Sequence, residues 1–163
     1  MIQFLPAKTS ADFEQISVLA NEIWTDHYVP MLGPALIEYM LEKFQSPSAV
    51  AQQVEEGVSY YLQQHKDQIA GYLAFYPKEG AMFLSKIYVH KNYRGLGLGR
   101  AAMNFIEEQT RTANLSRLRL TVNKKNEGSI GAYERMGFKK IEEAVFDIGE
   151  GFFMDDYVLE KEL

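Results

Sequence analysis

Cysteine is absent from all 163 residues. That excludes disulfide stapling, thiolate metal sites and a cysteine nucleophile, and it suits a reducing interior. Long apolar runs are missing too, so no segment reads as a membrane span, and Met1 to Lys8 lacks the basic start and apolar core of a secretory signal. A cytoplasmic location is therefore the expectation. Positive charge is also in deficit, with 17 basic against 22 acidic residues and a net charge of -5. Nucleic-acid binding needs lysine and arginine clustered over a face, so that class is not expected either. No repeat, linker or low-complexity tract interrupts the chain, and a single domain spanning residues 1–163 is the simplest organisation.

What is present is a 47% apolar composition, enough for one sizeable core without metals. Charge is unevenly spread. Between Lys86 and Lys140 twelve basic residues face four acidic ones, an excess of eight, and the remainder of the chain is correspondingly acidic.

Periodicity orders the elements. Ile2 to Leu5 reads as a strand, and Ser10 and Asp12 offer caps to a helix bearing Phe13, Ile16, Leu19, Ala20 and Ile23, which should end between Trp24 and Tyr28 ahead of Pro30. Leu36 to Phe44 and Pro47 to Val54 read as two further helices. Val58 to Gln64, Gln68 to Tyr76 and Ala81 to His90 are rich in β-branched and aromatic residues and read as three antiparallel strands. A helix from Leu98 to Ala113, the alternating strand Leu118 to Val122, a short helix Asn126 to Met136 stopped by Gly137, and strands at Phe138 to Phe146 and Phe152 to Glu162 complete the chain. This order predicts an α/β fold with a mixed sheet.

Chemistry concentrates after the strand Lys86 to His90, where Arg94-Gly95-Leu96-Gly97-Leu98-Gly99-Arg100 opens a helix. A helix start carries unpaired N–H groups and partial positive charge. Glycines without side chains let a pyrophosphate approach those amides, and Arg94 and Arg100 can add charge-assisted bonds. Gly97 to Ala102 also satisfies a dinucleotide fingerprint, which makes a nicotinamide enzyme the competing reading; four residues between strand and glycines and the absence of a ribose-binding acid at Asn123 oppose it. A nucleotide P-loop is excluded because no Gly-Lys-Ser/Thr follows. A ligand-free glycine turn is the bland alternative.

Arg94-x-x-Gly97-x-Gly99 after Ile87-Tyr88-Val89 resembles the coenzyme A motif of the GNAT superfamily of N-acetyltransferases. The block from Asn126 to Phe138, including Tyr133, resembles that family's later helix, where an asparagine follows the fifth strand and a tyrosine faces the thioester. The resemblance covers nearly the whole chain. It implies a mostly antiparallel sheet splayed between strands 4 and 5, with helices on both faces and the pantetheine arm of acetyl-CoA bonded to the backbone of Ile87 and Val89. The implied cofactor-binding set is Ile87, Val89, Arg94, Gly95, Leu96, Gly97, Leu98, Gly99, Arg100 and Asn126, with Asn126 also able to cap its helix. The basic excess can attract coenzyme A, whose phosphates carry about four negative charges. No metal is implied.

The reaction class sets the remaining expectations. A primary amine has a pKa of about 10.4 and must lose a proton before it can attack a carbonyl. Glu22, Asp26, His27, Asp155 and Asp156 are candidates to accept it, each with a surface or capping role as the alternative. Tyr133, as a protonated phenol, can donate to the departing thiolate, with a core position as the alternative. The Val89 N–H is a candidate oxyanion donor. Without cysteine, direct transfer in a ternary complex is the simpler scheme. The ending Phe146 to Lys161 resembles the bacterial polyamine and diamine N-acetyltransferases more loosely, and departs from them on the fourth strand at Ser85, where those relatives often carry glutamate. Glu22 and Asp26 are the expected acceptor-binding residues for a small-molecule cationic amine. A protein or peptide N-acetyltransferase and a non-catalytic coenzyme A-binding module remain as alternatives, and a homodimer is compatible with all of them.

Overall fold

The computed structural model describes residues 1–163. Its elements run β1 (Ile2–Pro6), α1 (Ser10–Leu32), α2 (Pro34–Gln45), α3 (Pro47–Glu55), β2 (Ser59–His65), β3 (Gln68–Lys78), β4 (Ala81–Val89), a single 3₁₀ turn (Lys91–Tyr93), α4 (Leu98–Thr112), β5 (Arg117–Asn123), α5 (Glu127–Arg135), β6 (Lys139–Gly149) and β7 (Phe152–Glu162). The strands hydrogen-bond in the order β1-β2-β3-β4-β5-β7-β6. Every pairing with a resolved register is antiparallel except β4 with β5, and that parallel register holds only Met82 against Leu118 and Phe83 against Arg119. The α/β fold with a mixed, mostly antiparallel sheet is as the sequence implies.

The chain divides into two compact units. One comprises Met1–Tyr76 with Lys86–Ile106, the other Pro77–Ser85 with Glu107–Leu163. In the first unit, alternation along β2 sends Tyr60 and Leu62 to one face, where they join Ile16, Ala20, Ile23 and Trp24 of α1 and Ile37 and Leu41 of α2 in one apolar core. Tyr61 points the other way and meets Phe105 of α4 at 4.8 Å between ring centroids, beside Phe4 at 4.4 Å from Phe105. Helices thus cover both faces of these strands. In the second unit Leu118, Leu120, Val122 and Leu159 are buried. They share one face of β5 and β7, because Leu120 lies opposite Leu159 and Leu118 opposite Lys161.

Two boundaries of α1 differ from the sequence reading. The N-cap is Thr9 rather than Ser10: its hydroxyl accepts from the Asp12 amide at 3.2 Å while the Asp12 carboxylate accepts from the Thr9 amide at 3.0 Å. This reciprocal box satisfies two otherwise unpaired donors at once. The helix also continues through Pro30 to Leu32 and stops at Gly33, with φ +91°. Proline loses the bond to the carbonyl four residues back and its ring crowds that oxygen, and two residues from the helix end only the last turn has to adjust. Gly71 in β3 was not singled out from sequence, yet a Cβ there would collide with the Tyr88 carbonyl oxygen. Its bare backbone allows β3 and β4 to approach.

Candidate active site

The glycine segment is held from both ends. His90 Nδ1 accepts the Asn92 amide at 3.2 Å and opens the 3₁₀ turn, and Arg94 Nε donates to the Val89 carbonyl at 3.4 Å. At the far end Leu98 is buried, and the fully buried Gln63 side chain donates to the Leu98 carbonyl at 2.7 Å. Between these anchors Gly95 and Gly97 adopt φ of +80° and +82°, the left-handed region that other residues enter only at a cost. No heavy atom lies within 4 Å of where a Cβ would stand on Gly95, Gly97 or Gly99.

Glycine is therefore present here for backbone conformation and for open space above the amides. The Ala101 amide bonds to the Gly97 carbonyl at 3.0 Å, whereas the amides of Leu98, Gly99 and Arg100 belong to the first turn of a 15-residue helix and have no intrahelical acceptor. Exposed Arg94 and Arg100 flank them. An open cradle of amides at a helix start, with guanidinium groups on either side, fits a pyrophosphate. Leu98 faces inward, so its amide and not its side chain is available to a ligand. Leu96 is 52% exposed. Ile87 and Val89 are half-buried on β4.

A cavity of about 620 Å³ lies between the Asn21 to Asp26 stretch of α1 and the His90 to Arg94 segment. Glu22 and Asp26, four apart on one helix face, both border it. Glu22 Oε2 is 3.0 Å from His90 Nε2, and Asp26 Oδ1 is 3.8 Å from Lys91 Nζ. Because Nδ1 of His90 accepts a backbone proton, a neutral ring carries its own proton on Nε2 and donates it to Glu22. His27 rests edge-on against Tyr28 with ring centroids 4.7 Å apart.

In the same unit a buried polar chain runs through the core beneath α1 and α2. Trp24 donates to Tyr72 at 3.1 Å, Tyr72 to Gln45 at 2.7 Å, and Gln45 to Tyr60 at 3.2 Å. Lys86 of β4 donates to the same Tyr60 oxygen at 3.1 Å and stands over its ring. Burial pushes the Lys86 amine down to about 7 and the Tyr60 phenol up to about 12. Tyr60 therefore stays neutral where Lys86 titrates and gives it no counter-ion.

In the second unit Asn126 is buried and its Oδ1 accepts from the Ser129 amide at 3.4 Å, so it caps α5. Tyr133 is half-buried rather than a core residue, with its ring edge-on to Phe138 at 5.6 Å. Asp155 is engaged by Lys124 at 2.9 Å. Asp156 is 5% exposed, its Oδ1 has no hydrogen-bond partner, and burial together with the Asp155 charge raises its carboxyl to about 6.

The linear segregation of charge is partly undone in three dimensions. Arg119 makes two bonds to Glu160, at 2.8 and 3.0 Å, Arg117 reaches the same carboxylate at 3.6 Å, and Lys124 pairs with Glu143 as well as Asp155. With Lys91 on Asp26 and Lys86 on the Tyr60 hydroxyl, five of the twelve basic residues are already engaged. Arg94 and Arg100 at the loop make no ion pair.

Comparison with known proteins decides the family. Residues 18–138 match the Acetyltransferase (GNAT) family, and this span contains both the glycine loop and Tyr133. The chain belongs to the GNAT family. Over 161 residues it is 24% identical to an uncharacterized N-acetyltransferase in the pepI 3' region of Lactobacillus delbrueckii subsp. lactis, covering 93% of this chain and 92% of that one. Its fold is similar to that of the paia N-acetyltransferase from Thermoplasma acidophilum solved in complex with coenzyme A, with a TM-score of 0.82 at 17% identity over 100% and 99% of the two chains. It is also similar to the ribosomal-protein-S18-alanine N-acetyltransferase from Escherichia coli, with a TM-score of 0.74 at 17% identity over 99% and 94%.

As a GNAT enzyme the chain is an acetyltransferase, with acetyl-CoA as co-substrate. No helix is long and apolar enough to cross a membrane. Sequence reasoning missed the capping role of His90 and the contact of Lys86 with Tyr60. His90 stands at the strand end with no motif to mark it, and Lys86 lies in a strand whose alternation predicts only which face it takes.

Proposed function

We propose that this GNAT enzyme acetylates a primary amine by direct attack on acetyl-CoA, and that the acceptor is a small cationic amine of the polyamine type. The observation that carries the reading is the open glycine cradle, left-handed at Gly95 and Gly97, with amides at Leu98, Gly99 and Arg100 that have no intrahelical acceptor. Those amides and Arg94 and Arg100 hold the pyrophosphate, and the backbone of Ile87 and Val89 receives the pantetheine arm. Tyr133 protonates the departing thiolate. Asn126 orients the entry to its helix. That the family match runs through both compact units supports reading residues 1–163 as one domain.

Glu22 and Asp26 support a cationic acceptor, since both carboxylates border a cavity and keep about half their side-chain surface in solvent, at 54% and 42%. An ammonium can share either carboxylate with its present partner. The test is a panel of spermidine, a diamine, free lysine, an arylalkylamine and a peptide with an N-terminal alanine, read by release of the coenzyme thiol. Turnover of spermidine or the diamine, weakening as salt rises, is the expected result. Turnover of the peptide alone makes the chain a peptide N-acetyltransferase, and binding of acetyl-CoA with no turnover makes it a non-catalytic module.

A further inference from the structure

On the strands of the second unit, one side carries the helices and the other carries a buried acid with an unbonded oxygen. Lys161 of β7 reaches Glu107 of α4 at 3.0 Å, and a Cβ on Gly137, at the end of α5, would meet the Lys161 stem. The face holding Lys161, Leu159, Leu118 and Leu120 is therefore the face of α4 and α5, and Tyr133 sits on that α5. Asp156 points away from it, together with its cross-strand partner Asn123 and with Thr121 and Val158.

The charges around Asp156 are already committed. Glu160 on the same face is taken by Arg119 and Arg117. Lys124 is spent on Asp155 and Glu143. Glu142, opposite Val158 on β6, adds only like charge, and the direct neighbours of Asp156 across the strands are neutral Asn123 and Ala144. A carboxylate oxygen that is buried and unbonded is costly, and such atoms persist where a ligand supplies the missing partner.

We propose that Asp156 is the base of this acetyltransferase, taking the proton of the acceptor ammonium through its unpaired Oδ1; this rests on the amine-acetylating reading above. The ammonium gives one proton to the Asp156 carboxylate and becomes a free amine. The amine lone pair forms the N–C bond at the thioester carbonyl carbon, and the C–S bond breaks with its electron pair passing to sulfur. The second nitrogen proton passes to solvent as the amide forms, Tyr133 gives its proton to sulfur and regains one from solvent, and Asp156 returns its own to solvent, so that one proton is released overall. Acid and base are then two different residues, so the two protons do not compete for one group. A carboxyl that titrates at about 6 is ionised and still basic near neutrality, as a proton acceptor requires.

The experiment compares the wild-type chain with Asp156→Asn, using acetyl-CoA and whichever amine of the panel turns over fastest, from pH 5 to 9. The wild type should show an acid limb in kcat with a midpoint near 6, and the variant should lose that limb and fall on the order of a hundredfold at pH 7.5, with acetyl-CoA affinity unchanged by calorimetry. Removing a buried charge should also leave the variant at least as stable as the wild type at pH 8. A folded Asp156→Asn with wild-type kcat and an intact acid limb overturns the proposal. Asp156→Ala provides the second arm: added formate should restore part of the rate, and no recovery in the folded variant also counts against Asp156. Wild-type inactivity toward every amine removes the amine-acetylating reading and the base with it, whereas an active wild type beside an unimpaired Asp156→Asn removes the base alone.

Discussion

Glu22 Oε2 lies 3.0 Å from His90 Nε2, joining the middle of α1 to the end of β4 at the edge of a cavity. The contact is directional. The Asn92 amide occupies Nδ1, so the imidazole can only donate toward Glu22. A histidine that caps a turn with one nitrogen fixes an acid with the other.

If that carboxylate receives an acceptor ammonium, Glu22→Gln should raise KM for the preferred cationic amine several-fold and leave the affinity for acetyl-CoA unchanged. Steady-state kinetics at two salt concentrations are the check, because the wild-type advantage should shrink as screening increases. An unchanged KM would place the acceptor elsewhere.

At the phosphate loop, two substitutions separate strain from obstruction. Gly97→Ala places a Cβ in open space at a φ of +82°, so it should cost about 1 kcal/mol of stability and bind acetyl-CoA weakly at most. Gly97→Glu adds bulk and like charge and should abolish binding in calorimetry. Equal affinities in both variants and wild type would exclude the loop as the pyrophosphate site.

Tyr133→Phe should retain the Phe138 contact and the affinity for acetyl-CoA while kcat falls on the order of tenfold to a thousandfold. Unaltered kcat would make Tyr133 a packing residue.

Lys86 gives the fold a pH signature of known sign. Its amine is held down to about 7, against 10.5 in the unfolded chain, so between these values the unfolded state binds a proton that the folded state lacks. The stability contribution is complete above pH 10.5 and is lost as pH falls toward 7. Lys86→Met should flatten this slope and gain on the order of 1 kcal/mol at pH 6, where the wild type must bury a charge. Urea melts across that range decide it, and parallel curves for the two proteins would show that Lys86 reaches solvent.

Much of this was legible in the chain. Helical spacing at Ile16, Leu19, Ala20 and Ile23 and alternation at Leu118, Leu120 and Val122 placed the core, because burial imposes those periods directly. The glycine loop was legible because its backbone chemistry needs particular residues at adjacent positions. Charge was not. The excess between Lys86 and Lys140 read as an attraction for coenzyme A, whereas Arg117, Arg119 and Lys124 meet acids that are distant in sequence and adjacent only through strand pairing. Gly71 was opaque for the same reason, and Asp156 was only one of five candidate acids and bases: a close backbone approach and an unpaired oxygen both depend on what a neighbouring strand brings.

The proline inside α1 leaves a gap in the helix's own ladder. Pro30 has no amide to offer the Asp26 carbonyl, so that oxygen lacks its usual donor one bond chain away from a carboxylate that borders the cavity. One residue thus presents two acceptors of different kinds, a fixed dipole and a mobile charge. The dipole is fixed by the helix and indifferent to salt, whereas the charge is screened as salt rises.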